Sequence, residues 1–243
     1  MAQVFPRISN SLTRLLIAGI VLAVIGGIGL LYAVYRSPYM HGMNIPPEQP
    51  VPFSHKHHVQ QLGIDCRFCH NSVEDSSFAG IPTAKTCMTC HSQMWTNAQV
   101  LEPVREAFRT NRPVPWVRVH HLPEFVYFNH SIHIAKGVAC TTCHGPVDHM
   151  EMIAQHSTLW MSWCLDCHRH PERFIGPKAV VFKSNWLTPR VQDLNKDIEL
   201  AKAELPPSEA QTLKTPEDIR KALVKHRKIP NAMTQSECYV CHR

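Results

Sequence analysis

The chain has 243 residues, enough for one or two domains, with 44% hydrophobic residues, 18% charged residues and a formal net charge of +6. A basic balance suits nucleic acid or an anionic membrane, but no nucleic-acid motif accompanies it, so composition gives that class no support. The hydrophobicity is ordinary in amount and uneven in placement.

Leu15 to Tyr35 is a run of 21 residues without a charge, LLIAGIVLAVIGGIGLLYAVY, long enough to cross a bilayer as one helix. Arg7 and Arg14 precede it, Arg36 follows it, and no acid lies in the short tail. Residues 1–36 therefore read as a cytoplasmic tail and transmembrane anchor, with the rest of the chain outside the inner membrane. A cleaved signal peptide would need a shorter apolar core and a small-x-small cleavage site; residues 31–36 read LYAVYR, which is a poor one. Gly26, Gly27 and Gly29 give the helix a small-residue surface suited to close packing on another membrane helix. The proline-rich stretch 37–52 reads as an extended tether.

The pentapeptide Cys-x-x-Cys-His then occurs five times, at Cys66–His70, Cys87–His91, Cys140–His144, Cys164–His168 and Cys238–His242, and it uses all ten cysteines. This is the pattern of c-type haem attachment. Two intervening residues let both sulfurs meet one ring edge as thioethers, and the adjacent histidine can then reach the iron. Zinc sites do not require a histidine after every second cysteine, and disulfide frameworks require none. The expectation is five haem c groups, attached at Cys66, Cys69, Cys87, Cys90, Cys140, Cys143, Cys164, Cys167, Cys238 and Cys241, with His70, His91, His144, His168 and His242 on the irons. Their propionates, about two per haem, would cancel much of the positive charge.

The motifs sit in a repeat. Phe53-Ser-His55-Lys-His57-His58 leads through Gly63-Ile64 to Cys66, and Phe128-Asn-His130-Ser-Ile-His133 leads through Gly137-Val138 to Cys140. Each copy is followed by a second motif, so residues 53–91 and 128–168 read as two dihaem modules. Residues 92–127 connect them, and Asn111 to Pro123, with three prolines in thirteen residues, should not be helical throughout. Residues 169–243 form a C-terminal segment with the fifth motif. There Val191 to Leu205 is helix-compatible, and Thr215-Pro216-Glu217-Asp218 has the form of a capped helix start. These read as surface helices.

Twelve further histidines could supply sixth ligands. His55 and His130 lie at matching places in the repeat, beside a phenylalanine able to pack on a porphyrin. His58 and His133 follow three residues later on the same helical side, close enough to serve neighbouring haems. His120 is the fifth candidate, while His57 and His121 adjoin candidates and could replace them. His41, His149, His156, His170 and His226 fit no repeat, although His170 lies two residues past a motif. A methionine sixth ligand, from Met150, Met152, Met161 or Met233, would raise a potential relative to imidazole. With large covalent plates in place of much of the apolar core, the expected fold is a multihaem c-type cytochrome of short α-helices and long loops, with almost no sheet.

The stretches FSHKHH…GIDCRFCH and FNHSIHIAKGVACTTCH resemble trihaem and tetrahaem cytochromes of the c7/c3 type. In those, the first histidine of F-x-H-x-x-H caps the haem that follows and the second caps a neighbour, which implies these roles for His55 and His130 and for His58 and His133. The anchor, with PWVRVHHLPEFVYFNH, CHGPVDHM and MSWCLDCHRHPERF, is similar to the pentahaem cytochrome subunit of alternative complex III, a bacterial membrane quinol oxidoreductase. The likeness runs through nearly the whole chain and is weakest over 190–230. A related subunit, usually with six motifs, occurs in periplasmic menaquinone reductase complexes. The resemblance implies an iron–sulfur subunit of molybdopterin-oxidoreductase type, polytopic quinol-binding membrane subunits and a monohaem cytochrome c as partners.

The function expected is electron relay from quinol oxidation to a periplasmic acceptor, since irons gripped on both faces have no vacancy for a substrate. A multihaem reductase of nitrite or sulfite would need one five-coordinate iron, and no motif departs from the common pattern to mark one. A quinol dehydrogenase acting alone would need a quinone pocket that a single span has little room to form.

Overall fold

The computed structural model describes residues 5, 6, 8–183 and 194–242, with the side chains of 194–197 left aside. Arg7 and residues 191–193 of the helix-compatible stretch lie outside the described residues. The chain divides into two units, residues 1–43 and 44–243.

The first unit is one long helix, α1 (Ile8–Tyr35), built from Leu, Ile, Val and Ala with no charge after Arg14. Its 28 residues extend about 42 Å at about 1.5 Å each, more than the roughly 30 Å of a hydrocarbon core. None of its residues is buried, and it is apolar all round, so it has no face suited to water. It is long and apolar enough to cross a membrane. A methyl group added at Gly26, Gly27 or Gly29 would meet nothing within 4 Å.

The second unit is made of short helices and turns. Among its described residues the sole β pairing is an isolated antiparallel bridge, Val138 to Ile175. The elements are a π-helical turn at Lys56–Gln61, then α2 (Cys66–Cys69), α3 (Ala84–His91), α4 (Glu102–Thr110), α5 (His130–Ala135), α6 (Cys140–His144), α7 (Met161–Arg169), α8 (Leu194–Lys202), α9 (Pro207–Ala210), α10 (Pro216–His226), α11 (Ala232–Gln235) and α12 (Cys238–Cys241), with a few 3-10 turns. Each Cys-x-x-Cys-His motif begins on or within one of α2, α3, α6, α7 and α12.

Two apolar clusters hold this unit together. In the first, α3 packs on α4 through Ala84, Leu101, Val104 and Ala107, closed by Val51, Val114 and the half-buried Trp116. Helix α4 stops at Asn111, which takes the left-handed conformation (φ 53°), and the proline-rich run beyond it is non-helical, as its composition requires. In the second, Ile219, Ala222 and Leu223 of α10 pack against Ala201 and Leu205 and against the Val138–Ile175 bridge. Thr215 caps α10, its Oγ1 accepting from the Asp218 N–H at 3.1 Å, with Pro216 in the first turn. The C-terminal helices are thus more than surface helices: α10 has a charged outer face, and its inner face holds Leu223, which is 0% exposed.

Arg227 staples this helix end to the second module. Its Nη1 donates to the carbonyls of Lys136 (3.0 Å) and Gly176 (2.8 Å), and its Nη2 pairs with Glu204 at 2.6 Å. The guanidinium is buried, so the pair is shielded from solvent.

Candidate haem-binding sites

The two copies of the repeat fold alike. Phe53 meets His55 edge-on at 4.9 Å and stacks on His58 at 4.4 Å. Phe128 meets His130 edge-on at 4.7 Å and stacks on His133 at 4.4 Å. In each copy the phenylalanine packs on both imidazoles. The repeated glycine then turns the chain. Gly137 (φ +83°) closes α5, with its N–H donating to Ile134 O and the Val138 N–H donating to His133 O, a Schellman pair. Gly63 (φ +69°) turns the chain after the π-helical turn with bonds one residue wider, its N–H donating to Val59 O and that of Ile64 to His58 O. Three residues after its glycine each copy reaches the first cysteine of its motif.

Four of the five motif histidines use Nδ1 in one common way. His70 donates to Gly80 O (2.7 Å), His91 to Met94 O (3.2 Å), His168 to Gln235 O (2.9 Å) and His242 to Phe125 O (3.0 Å). Among the candidate sixth ligands, His58 donates to Ser54 O (2.8 Å), His133 to Asn129 O (2.7 Å) and His130 to Ser77 O (2.8 Å). A backbone carbonyl accepts only from an N–H, so each of these rings is the tautomer whose Nε2 lone pair is free for a metal. His57 and His121 are used differently: His57 Nδ1 pairs with Gln61 Oε1, and His121 spends its Nε2 on Arg118 O at 2.6 Å.

Three of these imidazoles face three others. Ring centroids are 6.2 Å apart for His58 and His91, 6.4 Å for His130 and His144, and 6.2 Å for His133 and His168. Two nitrogens each about 2 Å from a shared metal, on rings whose centroids lie about 1.1 Å further out, give roughly 6.3 Å. The three pairs therefore fit a metal gripped from both faces. His55 lies close enough to His70 for the two to interact electrostatically, and its Nδ1 is buried without a hydrogen-bond partner.

Two predicted residues stand outside this pairing. His120 lies against the back of His144, its Nε2 3.3 Å from His144 Nδ1 and the rings edge-on at 4.2 Å. His242 has Phe125 as its ring neighbour, at 5.7 Å. The methionines are divided: Met161 and Met233 are exposed, and Met150 and Met152 are half-buried.

The surroundings keep these imidazoles neutral. Desolvation, then repulsion from His70 and His58, pushes His55 down to about 4. Desolvation, then His120, His130, His70 and His55, pushes His144 down to about 3. His58 and His133 are lowered by the same burial. A metal ligand must be deprotonated, so these rings present lone pairs at neutral pH without first losing a proton. None of the ten cysteines is in a disulfide, so all are available for thioether bonds. Exposed apolar side chains cluster at the motifs: Phe68 within the first, Met94 and Trp95 after the second, Met161 before the fourth, and Met233 and Tyr239 at the fifth. Such a rim suits a large apolar plate far better than a bare ion.

Residues 51–106 and 126–195, about half of the chain, match the family described as cytochrome c7 and related cytochrome c, and the chain belongs to that family. It is a multihaem cytochrome c with covalently bound c-type haem, and the residues around its motifs fit that group. It is also similar to the menaquinone reductase multihaem cytochrome c subunit of Nitratidesulfovibrio vulgaris (strain Hildenborough), with 38% identity over 98 residues. That stretch is 40% of this chain and 46% of the relative, so the match spans a little under half of the relative's length.

The hydrogen-bond acceptors behind the imidazoles escaped sequence reading. Gly80, Met94, Phe125, Gln235 and Ser77 act through backbone carbonyls, and no side-chain type advertises that role.

Proposed function

We propose that the chain is the electron-transfer subunit of a membrane quinone-linked oxidoreductase, of the alternative complex III kind, carrying five haem c groups. When bound, each haem supplies a one-electron redox centre whose potential is set by its axial ligands, burial and nearby charge. In this reading α1 anchors the chain in the inner membrane and residues 44–243 lie on the periplasmic side. The partners are an iron–sulfur subunit of molybdopterin-oxidoreductase type, polytopic quinol-binding subunits and a monohaem cytochrome c.

The chain's own residues hold and orient. The ten motif cysteines form the thioethers. His70, His91, His144, His168 and His242, with His55, His58, His130 and His133, would hold the irons. Carbonyl acceptors at Nδ1 of His70, His91, His168, His242, His58, His130 and His133 would leave Nε2 free for binding, and Phe53 and Phe128 pack on the distal candidates. His120 is assigned here as the Nδ1 partner of His144.

The observation that carries this reading is the set of facing imidazoles at 6.2–6.4 Å. Irons closed on both faces pass electrons and do not take up substrate. The test is a pyridine haemochrome assay with EPR and carbon monoxide titration of the purified protein. Five haems per chain, at least four of them low-spin and inert to carbon monoxide, are expected. Rapid carbon monoxide binding at several haems would point instead to a multihaem reductase.

A second reading, the cytochrome subunit of a menaquinone reductase, has the 38% identical stretch in its favour. The two differ in what the intact complex does with quinone. Quinol-dependent reduction of the haems supports the first reading, and haem-dependent reduction of a quinone supports the second.

A further inference from the structure

We infer that the five attachment sites lie in the spatial order second, first, third, fourth, fifth, so that the motifs at Cys87–His91 and Cys238–His242 are the two ends of the row and the motif at Cys140–His144 is its middle. This rests on the electron-transfer reading above and names the two surfaces that redox partners must reach.

Each junction has its own contact. The first and second sites share the turn that carries His55 and His58, one helical step apart, and His58 faces His91 of the second site. The first and third sites are joined across the modules: His130 Nδ1 donates to Ser77 O, and the Ser131 N–H donates to Ser76 O at 3.2 Å. The third and fourth sites share α5, whose His130 faces His144 and whose His133 faces His168. The fourth and fifth are joined by α11, which lies against α7 and supplies the Gln235 carbonyl to His168.

Exposure agrees with this order by an independent route. Of the ten cysteines, the two that are exposed are Cys90 of the second motif and Cys238 of the fifth. His144, in the middle of the row, has neighbours from both modules, including His55, His70, His120 and His130.

The deciding experiment locates the irons in the full-length, haem-loaded chain, by cryo-EM of its complex or by anomalous diffraction at the iron edge. The iron at His91 should have the iron at His70 as its nearest neighbour, and the iron at His144 should lie between those at His70 and His168. An iron at His91 nearer to that at His144 than the His70 iron is, or an iron at His242 nearer to that at His144 than to that at His168, overturns the order. A second measurement needs no structure. His58→Met and His130→Met each give one haem a distinct EPR signal, and a soluble gadolinium chelate relaxes the spins nearest the surface. The half-saturation power of the His58→Met signal should rise several-fold, and that of the His130→Met signal should stay near its starting value. Equal enhancement of both overturns the proposal. Five haems with axial ligands as assigned but a different order would sink this inference and leave the electron-transfer reading standing. Fewer than five haems would sink both.

Discussion

The two repeat glycines offer a controlled comparison inside one molecule. Gly63 and Gly137 hold the same place in the repeat and both have positive φ, at +69° and +83°. An alanine at either must adopt the left-handed conformation, at a cost of about 1–2 kcal/mol. Their surroundings differ. A methyl group at Gly63 would meet nothing within 4 Å, whereas at Gly137 it would collide with Arg227 Nη1 and lie 2.7 Å from the Gly176 carbonyl. The Gly176 oxygen is backbone and cannot swing away. The guanidinium can, but only by leaving the Lys136 and Gly176 carbonyls and its ion pair with the Glu204 carboxylate. Overpacking costs about 1–3 kcal/mol, and disrupting a buried ion pair costs up to about 3–5.

Gly137→Ala should therefore lose about 3–5 kcal/mol, against about 1–2 kcal/mol for Gly63→Ala. In a chain of this size, at about 2–4 °C per kcal/mol, that is a drop of roughly 6–20 °C against roughly 2–8 °C. Thermal unfolding of the full-length haem-loaded protein in detergent, followed by Soret circular dichroism, reads both. Equal shifts, or a larger one for Gly63→Ala, would refute the reasoning, because only the local packing separates the two positions.

Other consequences can be checked one by one. His58→Leu, His130→Leu and His133→Leu should each convert one haem to a high-spin, carbon-monoxide-binding form, and His57→Leu should not; optical titration decides. His120→Leu removes the partner of His144 Nδ1, makes the ligand less basic and should raise the potential of a single haem. His120→Gln replaces the ring nitrogen with an amide oxygen as acceptor and should stay nearer the wild-type potential; a new high-spin haem in both variants would mean that His120 binds an iron directly. Thr215→Ala removes the cap of α10 and should cost about 1 kcal/mol in a guanidinium titration, since the Asp218 N–H loses its acceptor.

The attachment points could be read in the sequence because thioether chemistry fixes residue types and spacing together. The nearness of His58, His130 and His133 to motif histidines follows a repeat that the sequence spells twice, and the cap of α10 could be read because Thr-Pro-Glu-Asp satisfies the first turn locally. What holds the rings could not. The acceptor for His242 is the carbonyl of Phe125, 117 residues away, and that for His168 is the carbonyl of Gln235, 67 away. Any residue type offers a carbonyl, so only the fold selects these. The burial of α10 was obscured by its charges, although Ile219 and Leu223, four apart, mark one helical face. The spatial order of the motifs departs from chain order because each distal pair joins two sites, a relation that spacing along the chain does not encode.

That pairing makes one side chain responsible for two redox centres. Phe53 is in ring contact with His55 and with His58; His58 lies against His91 of the second motif, and His55 is near His70 of the first. Each aromatic contact is worth about 0.5–1.5 kcal/mol, comparable with the energy needed to tilt a ring away from its best orientation. Phe53→Ala should therefore loosen two distal ligands together. The EPR signals of the haems at His70 and His91 should broaden or shift in concert, and those at His144, His168 and His242 should hold. Phe53→Leu, which keeps apolar bulk without the flat face, should move the same two signals by less. A change confined to one of the pair, or spread evenly over all the haems, would show that the phenylalanine is only filling space.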